Sequence, residues 1–77
     1  MTTKRREKTV EVLARNVRES REALKLSQEQ LARAARVTAA DVSRIENGQM
    51  GSRGIGLAKL ERIAVALRRT PSDLLHA

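Results

Sequence analysis

Apolar positions recur along the chain at helical spacing, in stretches separated by polar or glycine-rich breaks. Val10, Leu13, Val17 and Leu24 fall at steps of three, four and seven residues, which predicts a long amphipathic helix from Thr9 to about Lys25. Leu31, Ala32 and Ala35 mark one side of a second, shorter helix, and Val42 and Ile45 one side of a third, with Val37 wedged in the turn between them. Leu57, Leu60, Ile63, Ala64 and Leu67 restart the same spacing in a fourth helix that runs to about Arg68.

The breaks carry their own signals. Ser27 is followed three residues later by Gln30, and Thr38 by Asp41, so each reads as an N-cap with a capping-box partner opening a separate helix. Asn47-Gly48 stops the third helix, since glycine takes the left-handed conformation without a Cβ penalty. The stretch QMGSRGIG that follows cannot continue as helix. It has neither a preceding strand nor Walker spacing, which argues against a nucleotide site. Thr70-Pro71-Ser72-Asp73 combines an N-cap threonine, proline at the first helical position and an acid at the third, and opens a short last helix. Leu74 and Leu75 follow, either covering the bottom of the core or forming a dimer interface.

Composition narrows the chemistry. The chain has 77 residues and no Phe, Tyr or Trp, so its core must be aliphatic. A domain of this size buries only about 60% of its unfolded surface and gains from dimerisation. Cysteine is absent and the single histidine, His76, is next to the last residue. Disulfides, metal clusters and cofactor chemistry are therefore not expected. No apolar run approaches the ~20 residues of a membrane span, and the basic start MTTKRREK lacks the apolar segment of a secretory signal, so a cytoplasmic protein with no membrane partner is expected. Sixteen Lys and Arg against nine Asp and Glu give a formal charge of +7, a field that attracts polyanions or simply keeps the surface solvated. Residues 1–8 read as a basic, flexible N-terminal arm and residues 9–77 as one domain.

The ordered set LSQEQLA, Val37-Thr38 at the turn, VSRIENG, LAKLERIAVAL and PSDLL resembles the helix-turn-helix domain of phage repressors and Cro proteins, the XRE-type regulators, over roughly Val17 to Leu75. The resemblance implies an all-α fold, a compact five-helix bundle whose third helix lies in the major groove of double-stranded DNA. It implies groove-facing base contacts at Ala39, Ala40, Asp41 and Arg44. Gln28 is similar to the family glutamine that bonds a phosphate and braces the recognition helix, and Arg21 and Glu46 occupy the positions of a structural ion pair between the first and third helices. Thr38, Ser43 and Asn47 are further phosphate candidates, as is Arg53 at the tip of the glycine-rich loop.

Residue by residue, the chemistry leaves alternatives. Arg44 can donate two hydrogen bonds to guanine or pair with Asp41 on its own helix. Ala39 and Ala40 offer only methyl contacts to thymine and a close approach. Asp41 can accept from cytosine or complete the box with Thr38. The pattern departs from the family at Arg36 in the turn, where glycine is usual, and at Lys25 at the end of the first helix, where it is frequent, so either a non-glycine residue takes positive φ there, at a cost, or the turn differs slightly.

These readings predict a sequence-specific transcription regulator, a repressor or controller acting as a homodimer on a pseudo-palindromic operator. The alternative is an antitoxin that binds a protein toxin and autoregulates its operon. An enzyme is disfavoured, because no nucleophile, base and acid stand at suggestive spacing.

Overall fold

Capping side chains set where the short helices begin. The computed structural model describes residues 2–49 and 54–76, with side chains from residue 9. Its five helices are α1 (Thr2–Ala23), α2 (Gln28–Ala35), α3 (Ala39–Glu46), α4 (Leu57–Ala66) and α5 (Pro71–Leu74), with no strand among the described residues. Ser27, Thr38 and Thr70 each accept a hydrogen bond from the backbone N–H three residues on, and Gln30, Asp41 and Asp73 reciprocate, completing the boxes the sequence predicts. The first helix extends back to Thr2, well before its expected start at Thr9, so most of the expected arm, residues 2–8, is helical backbone.

Leu13, Val17, Leu31, Ala32, Ala35, Val42, Ile45, Leu60, Ile63, Ala64, Leu67 and Leu74 form one buried cluster. Val37 in the α2–α3 turn and Ile55 ahead of α4 pack against it. Helices α2 and α3 touch each other, with α1 against α3 and α4 against α2, and α5 closes the bundle against α1 and α4. The small Ala32 and Ala35 let α2 approach its neighbours closely, as a core without aromatic rings requires.

Three apolar expectations are corrected. Leu24 is exposed because α1 ends at Ala23, so the helical phase that placed Leu24 on the inner face no longer applies. Leu57 is 74% exposed, since as the first residue of α4 it precedes the turns that meet the core. Leu74 is 1% exposed and belongs to the core, which removes it from any dimer surface and leaves only Leu75 exposed there.

Helices α1 to α4 all end alike. In each, an N–H just beyond the helix reaches back to a carbonyl five residues earlier: Leu26 to Arg21, Val37 to Ala32, Gln49 to Arg44 and Arg69 to Ala64, at 2.7–3.1 Å. The residue before each donor takes positive φ, and these are Lys25 (58°), Arg36 (58°), Gly48 (68°) and Arg68 (60°). Left-handed backbone costs a side-chain-bearing residue roughly 1–2 kcal/mol. Glycine's greater freedom in the unfolded chain and the loss of a cation at a helix C-terminus offset part of that. Arg68→Gly is therefore expected to stabilise the domain by about 0.5–1 kcal/mol in urea denaturation. An unchanged or lower midpoint would contradict strain at this position.

Candidate nucleic-acid interface

Helix α3 has two unlike faces. Val42 and Ile45 are buried against the core, while Ala39, Ala40 and Arg44 are exposed and Ser43 is half-buried. The outward face therefore carries two methyl groups and one guanidinium. Arg44 makes no ion pair with Asp41 among the described residues, because Asp41 is engaged elsewhere.

The Asp41 side chain is 13% exposed, and its Oδ2 accepts from the Thr38 N–H at 3.2 Å and lies 3.4 Å from Lys59 Nζ. The Thr38 backbone hydrogen bond, followed by the Thr38 hydroxyl and the Lys59 ammonium, outweighs burial and holds the carboxyl below the usual aspartate range. Of the two uses open to Asp41, the structure realises the cap, and adds a bridge to α4 that no local spacing signals. Thr38 Oγ accepts from the Asp41 N–H at 3.0 Å, the other half of the capping box. Asn47 donates to Ser43 Oγ at 3.3 Å, which joins these two phosphate candidates on one edge of α3. Arg53 lies outside the described residues.

The inner end of α3 is held by one carboxylate. Glu46 has a side chain 2% exposed, and it accepts from Arg21 through Nε at 2.6 Å and Nη2 at 2.9 Å, a two-pronged contact that matches guanidinium to carboxylate. Arg21 also donates Nη1 to the Leu26 carbonyl at 2.7 Å, tying the end of α1 to the same node. Gln28 donates Nε2 to Glu46 Oε1 at 3.1 Å, so the brace expected of this glutamine is made, and its second N–H remains for a phosphate. Arg18 adds Nη2 to the Glu46 carbonyl and approaches its carboxylate at 3.8 Å. The expected ion pair is thus one part of a node linking α1, α2 and α3. Burial alone would push the Glu46 carboxyl up, but the bonds from Arg21 and Gln28 and the charges of Arg21 and Arg18 bring it below its ordinary value.

Sequence spacing does not single out Arg18 or Lys59 as partners of α3, nor Arg62, whose Nε donates to the Ala35 carbonyl at 3.1 Å at the end of α2. Each joins residues far apart in the chain. No buried side-chain nitrogen or oxygen is left without a partner among the described residues.

A helix pair held at a fixed angle, with the second helix turning a small-residue face and one arginine to solvent, defines a helix-turn-helix DNA-binding domain. The helix-turn-helix family model HTH_3 matches residues 17–74. The chain belongs to this XRE-type family of DNA-binding transcription regulators. Among solved structures, it is similar to the restriction-modification controller protein C.AhdI from Aeromonas hydrophila, with 32% identity and a TM-score of 0.75 over 84% of this chain and 94% of that one. The hypothetical transcription factor NHTF from Neisseria shares 34% identity at a TM-score of 0.79, over 88% of this chain and 75% of that one. Hydroxypropylphosphonic acid epoxidase from S. wedmorenis is 28% identical at a TM-score of 0.75, but the 88% of this chain that matches spans only 35% of the epoxidase. No curated protein sequence matches the chain.

Proposed function

We propose that the protein is a sequence-specific repressor or controller that binds a pseudo-palindromic operator as a homodimer, with recognition helices about 34 Å apart. The observation that carries this reading is the geometry of α3, clamped through Glu46 to α1 and α2 while Arg44 stands exposed on the opposite side. A clamped helix holds its side chains in one register on the duplex, which direct readout requires. Arg44 reads guanine, Ala39 and Ala40 meet thymine methyls, and Gln28, Thr38, Ser43, Asn47 and Arg53 hold phosphates. The basic segment 1–8 adds positive charge to the same field.

Regulation without catalysis, in the cytoplasm, fits this chemistry, and no described helix is long and apolar enough to cross a membrane. The likeness to C.AhdI favours a controller's role. Leu75 is exposed and open to contact with a second copy. Selection of bound duplexes from random DNA tests the reading. An inverted repeat bound at least ~10³-fold more tightly than random duplex at fixed salt is expected. Enrichment of no common sequence would overturn it in favour of charge-driven, non-specific binding.

A further inference from the structure

Three of the four left-handed helix ends carry a basic residue where glycine fits without strain. Two of them bracket the recognition helix. Gln28 reaches Glu46, so the start of α2 adjoins the end of α3, and Lys25 stands three residues before Gln28. Arg36 stands at the other end of α2, two residues before the Thr38 cap of α3. Eight residues of α3 span about 12 Å, close to the ~12 Å width of the major groove. Both side chains are exposed, and neither makes a hydrogen bond or ion pair among the described residues.

The third basic residue, Arg68, provides the contrast. Helix α4 meets α3 at its first turn, through Lys59 and Asp41, and Arg68 lies about 13 Å further along its axis, beside the Thr70 cap of α5. A cation at a helix C-terminus interacts favourably with the helix dipole at all three positions alike. Only Lys25 and Arg36 also sit at the ends of α3.

We propose that Lys25 and Arg36 are phosphate-binding residues that straddle the recognition helix. Arg36 offers a forked, two-bond contact to phosphate oxygens, and Lys25 a point charge. Neither reads sequence. The inference rests on the DNA-binding reading above.

The test compares Lys25→Gly, Arg36→Gly and Arg68→Gly with the parent protein, using its selected operator and a random duplex across a salt series, with thermal melts of each variant. Lys25→Gly and Arg36→Gly are each expected to flatten the plot of log affinity against log salt by about 0.9, the slope that one neutralised phosphate contributes. Affinity for operator and random duplex falls by the same factor, and neither variant melts below the parent. Arg68→Gly keeps the parent slope and melts about 3 °C higher. Arg36→Lys and Lys25→Arg keep the charge and hence the slope.

Slopes of Lys25→Gly and Arg36→Gly equal to that of Arg68→Gly would overturn the proposal while leaving DNA binding intact. A loss confined to the operator would overturn it too, by making these residues base readers. A parent protein whose binding shows no salt dependence would remove the DNA-binding reading itself.

Discussion

Replacing Arg21 with alanine is expected to destabilise the domain by about 3 kcal/mol, the lower part of the range for breaking a buried ion pair. The Glu46 side chain is 2% exposed and Arg21 14%, so the carboxylate cannot recover its hydration when the guanidinium goes. Gln28 and Arg18 stay within reach and keep the loss from the top of that range. For a domain of this length the change lowers the melting temperature by about 12–24 °C, a large part of the ~5 kcal/mol available to a marginally stable protein. Urea denaturation of Arg21→Ala, Glu46→Ala and the double variant measures the coupling directly. An interaction energy near zero would mean that the two residues hold α3 independently.

The same node predicts acid sensitivity. Glu46 titrates below its unfolded value, so its stabilisation is complete above the ordinary glutamate pKa of about 4.3 and is lost as pH falls through the lower folded value. Asp41 is shifted in the same direction. Arg21→Ala is expected to flatten the fall in stability on the acid side, because it removes the largest hydrogen-bonding cause of the Glu46 shift.

The second large effect is expected on recognition. Arg44→Ala should weaken operator binding by about 1–3 kcal/mol, or roughly 5- to 150-fold, with discrimination lost at one base position per half-site. Arg44 is the only charged residue of α3 that is exposed on the outward face, since Asp41 is occupied by Thr38 and Lys59. On the proposed reading Ala39 and Ala40 offer only shape and methyl contacts, which would leave positions beyond the reach of Arg44 to the shape and stiffness of the duplex. Selection repeated with Arg44→Ala gives the readout. If operator and random duplex weakened equally, Arg44 would be a backbone contact instead.

Much of this interface is legible from local spacing. Ser27 with Gln30 and Thr38 with Asp41 involve residues three apart, so the sequence alone places both partners within reach. The Arg21–Glu46 pair spans 25 residues and is legible only through the family resemblance. Arg18 reaches Glu46 across 28 residues and Lys59 reaches Asp41 across 18, and nothing in their spacing marks either residue as more than solvated surface. Arg68 is a further case: no glycine pattern flags its left-handed backbone, whereas Lys25 and Arg36 stand out as departures from family glycines.

The α-helical class, the starts of α2, α3 and α5, the buried face of α3 and the exposed position of Arg44 all follow from the order of the amino acids. Each depends on contacts within one turn or on helical period, and those act before the chain is folded. Packing of the helices was needed to fix the rest: that Asp41 is spent on Lys59, that Glu46 gathers Arg18 and Gln28 as well as Arg21, that Leu74 is core, and that Arg68 is held in left-handed backbone. Those outcomes depend on which helices meet, because burial and charge pairing between distant segments exist only once α1 and α2 have packed against α3 and α4 against α2.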